Sequence, residues 1–292
     1  MHLRNSTFLM ISNDAKALDV NSGYFDLSHF TPYPSYHLDV KHFFQSVKRS
    51  VGPAAVRNKW LTLALKGNTV HCPCCKRQFQ TFVPTGLAKR ANARCVGCDS
   101  LERHRTIWLY LNRKTEFFKK DLTVLNVAPE PFFYKKFSRL SNIKYFAIDK
   151  FPEEYGYGRK TIRMDVCDLK FADESFDVII CNHVLEHVPN DRKAMREMNR
   201  VLKPGGWAIL NCPVNKNQAT TLEDTSITDP AIRLELFGQQ DHVRVYGRDY
   251  IDRLFDAGFE VNIVDYADTF TNNERFRYGM KAGEDIYHCF KK

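Results

Sequence analysis

No run of apolar residues in this chain approaches the roughly 20 that a membrane-spanning helix requires, which argues against a helical membrane protein. Leu3–Ser12 is too short and too polar for a signal peptide, so a cytoplasmic location is the expectation. A disulfide framework is missing as well. The nine cysteines are odd in number, and five of them crowd into residues 72–98, a clustering that points to metal rather than to cross-links. Acidic residues are scarce in one region. Residues 41–120 hold 17 Lys and Arg against 3 Asp and Glu, whereas residues 121–292 hold 24 against 27. The net charge of +9 therefore comes from the N-terminal part, which suits an acidic partner such as nucleic acid, an anionic membrane surface or a phosphorylated substrate, or else a merely soluble basic face. Glycine is absent where a nucleotide-binding turn would place it: Ala128-Pro129-Glu130-Pro131 closes the apolar strand that begins at Leu122.

What is present is clearest over Phe176–Leu210. Asp177–Cys181 is a short β-branched apolar run, the pattern of a strand buried on both faces. Asp191 is placed to cap a helix whose apolar positions are Ala194, Met198, Val201 and Leu202, with Lys203 at its negative end and Pro204-Gly205-Gly206 as its stop. Trp207–Cys212 then reads as a second buried strand, so that the unit is a parallel right-handed crossover. The string FDVI…LEHV…E…RVLKPGG resembles the segment between the fourth and fifth strands of class I S-adenosylmethionine (SAM) dependent methyltransferases of the type 11 group. The resemblance implies an α/β fold with a Rossmann-like, doubly wound, mostly parallel sheet over residues 122–292.

Ahead of that domain the chain divides into an irregular extension over residues 1–35, a basic helical segment over 36–70, a ribbon over 71–100 and a linking helix over 101–121. His42–Val47 and Trp60–Leu65 read as helices parted by Gly52-Pro53, docked on their own domain or else facing a membrane surface or nucleic acid. Cys72/Cys75 and Cys95/Cys98 form two C-x2-C pairs with nineteen residues between them, a spacing that suits a structural zinc ion held by four thiolates. Cys74 and, more weakly, His71 are alternative ligands, and rubredoxin-like iron is the alternative metal. Phe79, Phe82 and Val83 suggest a strand between the knuckles, ringed by Arg77, Lys89, Arg90 and Arg94. Asp99 with Glu102 reads as a capping box for a helix reaching about Arg113. Arg103 and Arg105 near its start oppose the helix dipole, and one function for them is to meet an anionic group on the acceptor or cofactor.

The chain also resembles a group of bacterial type 11 methyltransferases in which a CPxC…CxxCxSLERHR ribbon precedes an APEP turn. By that resemblance SAM lies at Asn126, Ala128, Glu130, Asp149, Asp165, Val166, Asn182 and His183. Glu130 is expected to accept from the ammonium group, Pro129 and Pro131 to fix a turn otherwise left to glycine, and Asp149, nineteen residues further on, to accept from the ribose hydroxyls. Asp165 accepts from the adenine amino group, beside the Val166 backbone. His183 is the first candidate for catalytic contact and His242 the second, as a general base. Glu186 and His187 are expected to interact within their own loop, and Arg244 and Tyr246 of the HVR-like string are expected to face the acceptor. The segment Pro213–Gln240 is long for a connection and reads as functional, with a short helix over Ala231–Phe237. A last helix is expected over Asp249–Ala257, closed by Gly258, and the tail from Phe259 supplies the closing strands. The acceptor expected is a hydroxyl or amine on a small molecule or glycan. The alternatives are RNA gripped by the basic ribbon, as in ribosomal RNA methyltransferases with a zinc ribbon, and a non-catalytic zinc-binding scaffold. The catalytic half carries no NPPY-type base-handling motif, which favours the first.

Overall fold

The computed structural model describes residues 54–86, 89–153 and 160–291, all within the unit Gly52–Lys292. The extension over 1–35 and the helix expected over His42–Val47 lie outside the described residues. Among the described residues no helix is long and apolar enough to cross a membrane.

Five parallel strands build most of one seven-stranded sheet. They are β5 (Leu122–Val127), β6 (Ile143–Asp149), β7 (Thr161–Arg163), β8 (Phe176–Asn182) and β9 (Leu202–Asn211). A separate antiparallel pair is formed by β10 (Leu222–Glu223) and β11 (Arg244–Val245), while β12 (Phe259–Val264) and β13 (Ile286–Lys291) complete the large sheet, with β13 antiparallel to both β9 and β12. The order across the sheet is β7-β6-β5-β8-β9-β13-β12, a Rossmann-like, doubly wound and mostly parallel sheet as expected from the sequence. β5 and β8 are neighbours although β6 and β7 lie between them in the chain, so the strand order reverses between β5 and β8. In such sheets the crevice outside the carboxyl ends at that switch is where ligands bind. β8 is buried along nearly its whole length, as its apolar run requires.

The crossover from β8 to β9 corrects two local expectations. Helix α4 (Asp191–Val201) is capped by Asn190, whose side chain accepts from the backbone N–H of Lys193 at 3.0 Å, and not by Asp191. Asp191 turns inward instead and accepts from Tyr246 Oη at 2.7 Å and Arg253 at 3.0 Å. Pro204-Gly205-Gly206 does not stop the helix, which ends at Val201, but forms the bulged start of β9. A Cβ on Gly206 would lie 2.9 Å from Lys203 O and 3.0 Å from Asp177 O, so this bulge has room only for glycine. Ala194, Met195, Met198 and Val201 seal the inner face of α4 against the sheet.

The N-terminal elements are helix α1 (Ala54–Ala64) and two small hairpins, β1 (Lys66–His71) with β2 (Gln78–Phe79), and β3 (Val83–Thr85) with β4 (Arg90–Arg94). Helix α2 (Glu102–Lys114) follows. Its cap is Leu101, whose backbone N–H donates to His104 Nδ1 at 3.1 Å, in place of the expected Asp99–Glu102 box. Asp99 adopts a left-handed backbone (φ 61°) and pairs with Arg94, while Glu102 pairs with Arg90.

Arg105, expected at the acceptor, is completely buried. Its guanidinium donates to the carbonyls of Ser100, Ala93 and Gly279 at 2.7, 2.8 and 2.6 Å and lies 4.3 Å over the Phe82 ring. It thereby ties the ribbon to the C-terminal segment and cannot reach a ligand. That segment contains a helix the sequence reading missed, Asn272–Tyr278, ended by Gly279 in the left-handed conformation. A Cβ on Gly279 would come within 2.6 Å of the Phe82 ring. The helices expected over Ala231–Phe237 and Asp249–Ala257 form over Pro230–Phe237 and Tyr250–Asp256, the first capped by Asp229.

Candidate functional site

Parallel register aligns the carboxyl ends of the central strands. Val127 pairs with Ile148 on one side and Cys181 on the other, and Asn182 pairs with Asn211. Ala128, Asp149, Asn182 and Asn211 therefore stand side by side along one edge. Both residues that leave this edge at the switch point, Ala128 (φ 41°) and His183 (φ 54°), have left-handed backbone angles, a conformation uncommon outside glycine and frequent at functional sites. Ala128 holds, against the clash of its Cβ, a conformation that glycine would adopt without strain. Ala128 N–H donates to Ile148 O at 2.7 Å and His183 N–H to Asn211 O at 2.8 Å, which locks each turn to its neighbouring strand.

The expected cofactor residues divide into two kinds. Asp149 is buried at the end of β6, and its Oδ1 accepts from Phe151 N–H at 2.7 Å. Asn126 is buried within β5 and donates to Tyr145 Oη at 3.1 Å, while Asn182 is buried with an Oδ1 that lacks a hydrogen-bond partner. Asp165 is more open. Although partial burial opposes it, the N–H of Cys167 at 2.8 Å and Lys150 at 2.9 Å hold its carboxyl below the ordinary range, and Val166 beside it is buried.

Glu130 sits at the start of helix α3 (Pro131–Phe137) and meets Arg103 and His104. Burial raises its pKa, but the hydrogen bond and charge of its partners outweigh that and leave it at about 2. Burial likewise dominates at His104 and pushes the imidazole down. Nδ1 of His104 accepts from Leu101 N–H, so the neutral ring carries its proton on Nε2, facing Glu130 Oε1 at 2.8 Å. The pair is thus a carboxylate balanced by one cation, Arg103, and one neutral donor. Glu130 Oε2 is buried and lacks a partner, which leaves one oxygen for a further donor. An acid with a spare oxygen, a second acid at the end of β6 and an unpartnered amide oxygen at the end of β8 suit the ammonium and hydroxyl groups of SAM.

Next to this edge opens a cavity of about 510 Å³. Arg90 and Arg103 line its ribbon side, and His183, Glu186, His187 and His242 line its sheet side. The segment Lys281–Tyr287 contributes a further wall that sequence periodicity gave no reason to place there. His183 is partly exposed, with Nδ1 3.4 Å from Glu186 Oε1.

Two residues assigned to the acceptor do not reach the cavity. Arg244 is buried and donates to the carbonyls of Leu185, Val188 and Pro189 and to Glu223 Oε2. Tyr246 is completely buried, with its hydroxyl on Leu185 O at 3.2 Å and Asp191. Both instead clamp the 185–190 loop. Arg253 joins them through Asp191 and Glu223, and Glu223, despite partial burial, is held at about 2 by Arg253 and Arg244. This network was missed because its members are far apart in sequence and only the fold brings them together.

The four cysteines do converge. Sγ of Cys72 lies 3.6 Å from that of Cys98, and Sγ of Cys75 lies 3.8 Å from that of Cys95. A tetrahedron with Zn–S of about 2.3 Å has edges of about 3.8 Å, so the set is compatible with zinc. Both knuckles fold alike. Lys76 N–H donates to Cys72 O and Asp99 N–H to Cys95 O, each at 2.8 Å, and both donors have left-handed backbones. Cys74 is buried outside this group, and its carbonyl accepts from Lys136 Nζ of α3 at 3.0 Å.

Residues 135–210 match the family described as "Methyltransferase domain". An uncharacterized methyltransferase of Mycobacterium sp. (strain KMS) is 34% identical over 98 residues, 32% of this chain and 39% of that protein. Thiol S-methyltransferase TMT1B of Rattus norvegicus is 33% identical over 92 residues, 31% of this chain and 34% of that protein. The chain thus spans less than two fifths of the length of these curated relatives. Among solved structures, an S-adenosylmethionine dependent methyltransferase from Mesorhizobium loti aligns with a TM-score of 0.44 at 14% identity, over 63% of this chain and 97% of that one.

Proposed function

We propose that this chain is a SAM-dependent methyltransferase acting on a hydroxyl or amine of a small molecule or glycan. The observation that carries the reading is the junction at the switch point. Ala128 directly follows β5, Asp149 and Asn182 end the strands on either side of it, and a cavity lined by His183 opens beside them.

Asp149 would accept from the ribose hydroxyls, Glu130 Oε2 from the ammonium group, and Asp165 from the adenine amino group. Arg103, at both the Glu130 pair and the cavity wall, suits the cofactor's carboxylate. When bound, SAM supplies a methyl group already made electrophilic by its sulfonium. The protein's task is then to align a nucleophile and take its proton. His183 is the residue we assign to receive that proton.

The four-cysteine cluster suits a structural zinc ion, since four thiolates leave no open position for catalysis. The ribbon would act as one wall of the pocket. Arg90 and Arg94 are engaged by carboxylates of the same fold and Arg105 by carbonyls, which leaves fewer cations for a polyanion and favours a small acceptor over RNA.

The experiment uses methyl-labelled SAM with a cell extract separated into small-molecule, glycan and RNA fractions. Label in the first two supports the reading. Label in RNA, with an affinity falling steeply as salt rises, replaces it with the RNA reading.

A further inference from the structure

His187 and His242 come from loops with 54 residues between them, yet their rings stand edge to face with centroids 4.7 Å apart, at an interplanar angle of 81°. Glu186 completes a trio. One ligand atom from each of Glu186, His187 and His242 lies within 4.8 Å of the others. Two of these side chains are deeply buried, Glu186 at 2% and His242 at 6% exposure, and both line the cavity. Glu186 Oε2 and His242 Nε2 are each buried without a hydrogen-bond partner. Burying such groups unpaired is costly, so their persistence calls for a ligand.

The outer contacts have the form that metal-binding imidazoles require. His187 Nδ1 stands 3.2 Å from both the carbonyl and the Oδ2 of Asp241, and His242 Nδ1 stands 3.2 Å from Phe237 O. With Nδ1 of each ring turned to an outer oxygen, the proton sits there and the Nε2 lone pair is free. The backbones are fixed as well. Val243 N–H donates to Glu186 O at 3.0 Å, and Arg244 donates to Leu185 O at 2.7 Å, so one segment clamps the other. This gives Arg244 its purpose as a positioning residue.

We propose that Glu186, His187 and His242 bind a divalent transition metal ion, zinc being the best fit, and that this ion takes the acceptor group in the cavity. Two imidazoles and one carboxylate form a three-ligand set that leaves positions open, unlike the closed cysteine site. The acceptor class narrows accordingly to a hydroxyl, which the ion would bind through oxygen and whose proton passes to His183 on the same cavity wall. His242 is then a ligand and not the general base. Binding of the ion stands on the geometry alone, whereas its use in methyl transfer rests on the function proposed above.

The test counts zinc in the full chain by mass spectrometry after saturation with Zn²⁺ and desalting, with S-adenosylhomocysteine binding measured in parallel. The double variant His187→Ala/His242→Ala is expected to hold one equivalent fewer than the wild type and to bind S-adenosylhomocysteine as before. Equal zinc in the two proteins overturns the site. X-ray absorption at the zinc edge of the wild type provides a check that needs no variant. A mixed sulfur and nitrogen/oxygen shell supports the site, and a purely sulfur shell overturns it. Loss of S-adenosylhomocysteine binding from a wild type that keeps the extra ion would remove the methyl-transfer role while leaving the metal site standing.

Discussion

Nε2 of His104 lies 2.8 Å from Oε1 of Glu130, and Arg103 bonds the same oxygen. One oxygen of Glu130 is thus spent on the ribbon-side helix, and the other is left at the edge of the sheet. The contact joins the helix that follows the cysteine ribbon to the APEP turn through a single carboxylate.

Glu130→Gln should therefore weaken binding of S-adenosylhomocysteine by about tenfold to a hundredfold, the worth of a hydrogen bond to a charged group. Zinc content should not change. Calorimetry together with metal counting checks both halves of this expectation.

Arg105→Met should cost about 3 kcal/mol or more, because it leaves the carbonyls of Ser100, Ala93 and Gly279 without their donor. Urea unfolding measures this directly. An Arg105 that served the acceptor would instead lower acceptor affinity and leave stability alone.

His288 should make the fold acid-sensitive. Its ring is buried beside Trp207 and Phe290, with Nδ1 2.7 Å from Tyr110 Oη, and burial lowers its pKa to about 4. Below about 6.5 the unfolded chain takes up a proton that the folded one refuses, so stability is full above that value and is lost as pH falls towards 4. At about 1.36 kcal/mol per pKa unit the loss is roughly 3 kcal/mol. Chemical unfolding at pH 7 and pH 4 should show this drop, and His288→Asn should abolish most of it.

Removing zinc with a chelator should loosen residues 66–101 while the sheet persists. The ribbon has only a small core of its own, with Val70, Phe79, Phe82 and Ala93 buried, and cannot fold on that alone. Limited proteolysis should cut there first, and Cys75→Ser should reproduce the effect.

The fold was legible because its signals are local and periodic. The apolar run of β8, the inward stripe of α4 and the acid ending β6 each announce themselves within ten residues. The two C-x2-C pairs were equally plain, since two residues are the spacing that turns both sulfurs the same way. Side-chain partners were harder to foresee. Arg105, Arg244 and Tyr246 look like ligand contacts in a linear string of polar residues, and only tertiary structure places carbonyls and carboxylates around them. The convergence of His242 with Glu186 and His187 had no sequence signal either, because the 54 residues between the two histidines include a strand and a helix that bring the loops together.

The central claim is that a sulfonium nucleoside binds at the carboxyl edge of the sheet, held by Asp149 and Glu130. Isothermal titration of the full chain with S-adenosylhomocysteine tests it most directly, with Asp149→Ala as the partner measurement. The account predicts saturable one-to-one binding that Asp149→Ala weakens by tenfold or more. Absence of binding to the folded wild type, or binding untouched by Asp149→Ala, would contradict it.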